Sequence, residues 1–256
     1  MNLQGKRILI TGGTSGIGRA TVELLSQLGA QLIVVSRDPR KLQEIKGELR
    51  GSILEIRRAD LEVEEDVVEL SKWVQSSAGR LDAVINNASR NSRFSVLNTE
   101  LQEWKRMITL NLTAPFLISQ AAARRMIQDG VKGKIINVGA IQYKFPLAES
   151  LPYVTTKGGL VSMTRSMAVD LGPYGIQVIC VVPGPIYTKG DRVPPELDAR
   201  ASTVLGRMGR PEEVARLLAF LCSDWNSFMT GNVIVIDGGR LISRKPDPGE
   251  VVRGEV

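Results

Sequence analysis

The chain has 256 residues, 43% hydrophobic and 23% charged, the balance of a globular protein, and its net charge of +6 is spread over scattered residues such as Arg57-Arg58 and Arg124-Arg125. A solvated surface explains that charge better than a nucleic-acid groove; no run reaches membrane-spanning length and no apolar leader is visible, so a cytoplasmic protein without nucleic-acid or membrane partners is expected. The absence of histidine excludes Ser-His-Asp and Cys-His catalysis and any His-ligated zinc, and Cys180 and Cys222 offer neither a metal spacing nor a disulfide framework, so no metal site is expected.

Arg7-Ile8-Leu9-Ile10 reads as a short strand that runs into Thr11-Gly12-Gly13-Thr14-Ser15-Gly16-Ile17-Gly18. A helical pattern follows, with Ala20, Leu24 and Leu28 on one face and a stop at Gly29. In a strand–turn–helix context these glycines let the backbone turn tightly and approach a pyrophosphate, whose charge meets the positive helix N-terminus.

Gln31 to Ser36 reads as the second strand, and Asp38-Pro39 as the N-cap and first position of the next helix. Arg37 stands at the strand tip, where an acidic residue would bond a ribose 2′-hydroxyl and a guanidinium suits a 2′-phosphate. NADP(H) is therefore favoured, with NAD(H) as the alternative; Asp38 is open to a second role as ribose ligand.

Ser52 to Arg58 reads as the third strand, followed by Asp60-Leu61 and a helix from Glu62 to Ser77 with Val63, Val67, Leu70 and Val74 inward. Leu81 to Ile85 is the fourth strand, ending in Asn86-Asn87-Ala88. Thr99 is expected to cap the next helix with Gln102, and that helix leads through Asn111 into a long apolar one ending near Gly130. Lys134 to Val138 is the fifth strand and Gln177 to Val182 the sixth, closed by Pro183-Gly184. A polar stretch, 189–209, carries Lys189, Arg192 and Arg200; a helix from Pro211 to Cys222 and a last strand, Asn232 to Ile236, complete the pattern. Strands alternating with helices predict an α/β fold, a parallel sheet covered by helices on both faces. Residues 1–243 are expected to form one dinucleotide-binding domain, and 244–256, charged and carrying Pro246 and Pro248, a mobile tail.

The helix from Leu151 to Leu171 carries Tyr153 and Lys157 one turn apart on one face. A free phenol has a pKa of about 10, and bringing it into the neutral range takes roughly 4 kcal/mol of electrostatics. A nearby ammonium is expected to supply part of that by favouring phenolate.

The chain resembles the classical short-chain dehydrogenases/reductases from about Lys6 to Gly239, through the glycine turn, Asp60, Asn86-Asn87-Ala88, Asn111, Tyr153-x-x-x-Lys157, Pro183-Gly184-x-x-x-Thr188 and Thr230-Gly231…Asp237-Gly238-Gly239. The resemblance implies that Gly12, Gly16 and Gly18 carry the pyrophosphate, with Thr14, Ser15 and Ile17 in the same turn. Asp60 and Leu61 would hold the adenine, and Asn87 and Ala88 the ribose side. Pro183, Gly184, Ile186 and Thr188 would flank the nicotinamide, the last two at its carboxamide. Tyr153 would move the proton, Lys157 would grip the nicotinamide ribose and lower the tyrosine pKa, and Asn111 would support a water relay. The resemblance also implies a Rossmann fold, a single doubly wound parallel sheet of about seven strands, and a homotetramer, with a dimer as fallback.

One part of that pattern departs. Where family members carry a substrate-holding serine, this chain has Ala140; Gln142, Tyr143 or Ser150 are the candidate substitute donors. The implied function is hydride transfer between nicotinamide and a small alcohol or carbonyl substrate. The alternative is a catalytically impaired relative that binds NADP(H) as a sensor or assembly partner.

Overall fold

The computed structural model describes residues 1–49, 51–190, 194, 195, 197 and 202–244. Arg192, Arg200 and the predicted tail from 245 onward lie outside the described residues.

Seven strands form one parallel sheet: β1 (Arg7–Thr11), β2 (Gln31–Ser36), β3 (Ile53–Arg58), β4 (Ala83–Asn86), β5 (Lys134–Val138), β6 (Gln177–Pro183) and β7 (Val233–Ile236), in the order β3-β2-β1-β4-β5-β6-β7. The order reverses between β1 and β4, where Ile8 pairs with Ala83 and Ile10 with Ile85. In open parallel sheets the crevice at such a reversal is where ligands bind.

Side chains alternate across each strand, so the sheet feeds two cores. Leu9, Val35, Val84, Ile135 and Val178 face α3 (Glu64–Ser76) and α5 (Ala114–Gln128), against Val67, Leu70, Ile118, Ala122 and Met126. Ile8, Ile10, Val34, Ile136 and Val181 face the other way, against Val22 and Leu25 of α1 (Gly16–Gln27), Leu42 and Ile45 of α2 (Pro39–Glu48), and Leu218 of the helix Pro211–Cys222. That last helix is α7 here, and Leu151–Leu171 is α6. Cys180 and Cys222 are free and buried, as small core residues. Among the described residues no helix is long and apolar enough to cross a membrane, and no cluster of potential ligands could hold a metal ion.

Three local expectations are corrected. Val63 is the N-cap of α3 and is 41% exposed, because the helix starts two residues after the predicted Glu62. Thr99 does not cap α4 (Leu101–Ile108); Glu100 holds that position without a side-chain cap bond, while the Thr99 hydroxyl donates to the Ser95 carbonyl in the preceding turn. Asn111 sits not in a plain α-helix but in a π-helical turn, Thr109–Thr113, between α4 and α5.

Candidate active site

A cleft of about 330 Å³ opens over the C-terminal ends of β1 to β4. Its floor is set by glycine. Gly12 has φ +66°, and a Cβ there would lie 2.9 Å from the Ala88 Cα; Gly16 has φ +51°, and its Cβ would lie 3.2 Å from Thr188 Cγ2. Both positions combine a left-handed backbone with a narrow approach, so a side chain would be strained and would press on Ala88 or on Thr188, residues that line the cleft. Gly18 lines the cleft with Gly12 and packs against it, since a Cβ there would come within 2.1 Å of the Gly12 carbonyl oxygen. Ser15, the N-cap of α1, makes no side-chain cap bond, and the first turn holds no acid. The helix therefore presents uncapped N–H groups beside the cleft that Ser15 and Ile17 line, a suitable cradle for an anion.

The flanking residues are tied in by hydrogen bonds. Thr14 Oγ1 lies 2.8 Å from Ser36 Oγ, joining the glycine turn to the tip of β2. The Asn87 amide donates to the carbonyls of Thr11 and Gly12 at 3.0 and 3.2 Å, while the amides of Asn87 and Ala88 donate to Thr11 Oγ1. Asn87 thus holds β1 and β4 at the sheet's reversal. Asp60 and Leu61 line the cleft; the Asp60 carboxylate accepts from the Glu62 amide at 3.1 Å. Asp38 is the helix cap, accepting from the amides of Arg40 and Lys41 at 2.9 and 3.2 Å. Arg37 lines the cleft with a side chain 67% exposed, 3.4 Å from Glu62.

α6 supplies the second half of the site. Lys157 is buried, and its ammonium donates to the Val138 carbonyl at 3.0 Å. Its Nζ lies 5.5 Å from the centre of the Tyr153 ring. The expectation that the lysine draws the tyrosine pKa down is not met in the protein alone. Burial pushes the Tyr153 phenol up to about 12 and the Lys157 ammonium down to about 8, the latter partly opposed by the nearby Cys180 thiol. Desolvation is the leading cause at both groups, and at the phenol no attraction from the ammonium offsets it.

Asn111 reaches this helix through Thr156. Its Nδ2 donates to Thr156 Oγ1 at 3.3 Å and to the Arg90 carbonyl at 3.1 Å, and its Oδ1 accepts from Ser89 Oγ and the Arg90 amide. The Thr156 hydroxyl donates to the Tyr153 carbonyl at 2.7 Å. Sequence reasoning missed Thr156, although its place between Tyr153 and Lys157 was a signal; Ser89 and Arg90 carried none beyond following Ala88.

Ala140 is buried at the end of β5 in extended conformation, and its carbonyl accepts from the Tyr143 amide. Beside it Gly139 has no spare room, since a Cβ there would lie 2.9 Å from Cys180 Sγ. Gln142 is partly exposed in the short turn Ile141–Tyr143. Ser150 is 1% exposed, and its hydroxyl donates to the Ala148 carbonyl, so that donor is already engaged.

At the end of β6, Pro183 pairs with Ile236, and the next residue, Gly184, packs so closely on Asp237 that a Cβ would lie 2.5 Å from its Cβ. Thr188 lines the large cleft, whereas Ile186 bridges to Gly209 and lines a separate cleft of about 90 Å³. There Arg207 holds Glu213 by two bonds of 2.9 and 2.7 Å, which lowers the carboxyl pKa to about 2.

A family model described as Enoyl-(Acyl carrier protein) reductase matches residues 12–240. A solved short-chain type dehydrogenase/reductase from Mycobacterium marinum superposes with a TM-score of 0.83 at 36% identity, covering 94% of this chain and 97% of that one. The chain belongs to the short-chain dehydrogenase/reductase family. Members of this family are NAD(P)-dependent oxidoreductases. Among curated members, a probable 2,4-dienoyl-CoA reductase of Bacillus subtilis is 34% identical over 253 residues, covering 95% of this chain and all of that protein. A 3-oxoacyl-[acyl-carrier-protein] reductase of Thermotoga maritima is also 34% identical, over 248 residues, covering 94% and 100%. Among solved members, an acetoin dehydrogenase from Salmonella typhimurium has a TM-score of 0.86 at 30% identity, covering 94% of this chain and 97% of that one.

Proposed function

We propose that this short-chain dehydrogenase/reductase is an NADP(H)-dependent oxidoreductase acting on a small alcohol or carbonyl compound. The observation that carries the reading is the cleft lined by the bare backbone of Gly12 and Gly18, beside uncapped N–H groups of α1 and the exposed arm of Arg37. These residues fit a dinucleotide: the glycine turn suits the pyrophosphate, Asp60 and Leu61 the adenine, and Thr188 the nicotinamide side.

The nicotinamide, when bound, supplies or accepts the hydride. Tyr153 holds the proton that accompanies it. Its phenol is protonated throughout the neutral range, which suits donation to a carbonyl oxygen. Lys157 is poised for a nucleotide ribose, because its ammonium is desolvated and bonded to one carbonyl. Asn111, through Thr156, fixes the first turn of α6 and with it the tyrosine.

Arg37→Ala is expected to weaken NADPH binding by about tenfold or more while changing NADH binding little, in line with a lost charge-assisted pair. Fluorescence titration of both cofactors checks this; equal loss for both would remove the 2′-phosphate from the reading. The assembly we propose is a homotetramer, supported by apolar residues left exposed on α5, α6 and β7, among them Phe116, Val169 and Val235. Light scattering should give several chains per particle, and a mass near that of one 28.0 kDa chain would refute it.

A further inference from the structure

Three charged side chains from three segments meet at the mouth of the cleft, and a fourth stands behind them. Arg37 follows β2, Glu62 follows β3, Arg90 follows β4 and Glu103 lies on α4. One oxygen, Oε1 of Glu62, lies 3.4 Å from Nη1 of Arg37 and 3.6 Å from Nε of Arg90. The far end of Arg90 is fixed by its pair with Glu103. Arg37, Glu62 and Arg90 line the cleft. Arg90 Nε is enclosed and makes no hydrogen bond to any described residue.

Glu62 poses a difficulty for a 2′-phosphate. Its side chain is only 14% exposed, so water screens its charge poorly. A carboxylate beside an anion-binding arginine both occupies the arginine and repels the anion. If Arg37 turned to a phosphate, Glu62 would be left as a half-enclosed negative charge next to a second one. Arg90 answers this, because its unused Nε already faces the same Glu62 oxygen, slightly beyond bonding distance.

We infer that Arg90 is a specificity-determining residue for the cofactor, taking over Glu62 when Arg37 turns to a 2′-phosphate. The inference rests on the reading of Arg37 given above. Arg37 is the mobile arm, Glu62 its resting partner, and Arg90 a counter-charge anchored by Glu103. The link from Arg90 to Asn111 runs through main-chain atoms only, so replacing the side chain leaves it in place.

Calorimetric titration with adenosine 2′,5′-bisphosphate and with 5′-AMP isolates this end of the cofactor, since the two probes differ only in the 2′-phosphate. Arg90→Ala is expected to weaken the bisphosphate by about tenfold and 5′-AMP by less than about twofold, as a nearby uncompensated charge would. Glu62→Gln should strengthen the bisphosphate, and in that background Arg90→Ala should lose most of its effect, a coupling that a merely structural role would not show. Glu103→Gln, which loosens Arg90 without facing the cleft, should give the same selectivity at smaller size. Equal weakening of both probes by Arg90→Ala, or an undiminished loss in the Glu62→Gln background, overturns the inference. Non-selective loss in Arg37→Ala would instead overturn the 2′-phosphate reading beneath it.

Discussion

Lys157→Met is expected to yield a protein that is more stable than the original and inactive. The lysine is fully enclosed, its ammonium donates to the neutral Val138 carbonyl, and its pKa falls from 10.5 to about 8. A folded-state pKa below the unfolded value means that stability is present at high pH and lost as pH falls through the folded pKa. At pH 7 the fold therefore carries a cost of about 3 kcal/mol for holding the ammonium. Methionine removes that cost, fills a similar volume and forfeits one hydrogen bond of about 1 kcal/mol. The net gain of about 2 kcal/mol should raise the melting temperature by roughly 5 °C at pH 7. The difference between variant and original should shrink by pH 10, where Lys157 is neutral in the fold. Turnover should drop by about 10²–10⁴, the range typical of lost acid–base support. Melting curves at the two pH values check the stability claim; a lower melting temperature for the variant at pH 7 would sink it.

Ala140→Ser is expected to raise turnover on small activated ketones or diketones with NADPH by about tenfold at least. The ceiling is the factor of about 10²–10³ that one oxyanion donor usually contributes. Ala140 is buried at the end of β5 with an extended backbone that serine also adopts. Gly139 adds no room, as its missing side chain is replaced by Cys180, so the new hydroxyl has to use the space in front of residue 140 itself. Cofactor affinity should not change. Tyr153→Phe should remove both the original and the enhanced activity, because the proton passes through the phenol in each. If Ala140→Ser leaves an already fast protein unchanged, Gln142 is the group that holds the substrate oxygen. If both proteins bind NADPH and neither turns over any carbonyl or alcohol, the impaired, cofactor-binding reading replaces the catalytic one.

Much of the fold was legible in the sequence because each strand is a short apolar run ended by a residue with a turn role. The span Leu151–Leu171 and the cap at Asp38 appear as read. The glycine turn was legible because only glycine suits φ +66° at position 12 and +51° at position 16. What escaped depends on distant segments meeting. Glu62 reads only as a helix start and Arg90 and Glu103 as ordinary charges, and only the sheet order brings the three side by side. Thr99 misled because a local turn captured its hydroxyl before a helix could. The tyrosine pKa misled because spacing shows which groups are neighbours and says nothing about how much water they keep.

The π-helical turn at Thr109–Thr113 acts as a gear change along the α4–α5 rod. Each residue of an α-helix advances by about 100° around the axis, and a wide turn offsets the two sides by roughly one such step. Within the wide turn Asn111 is aimed at Thr156; downstream the rod aims Ile118, Ala122 and Met126 at the sheet. The wide turn takes up one residue more than an α-helical turn holds, so Asn111 is displaced from the α-helical phase while the core-facing residues on either side keep theirs. A chain one residue shorter here would run on as plain α-helix with its core face intact, and the bond from Asn111 to Thr156 is what it would lose.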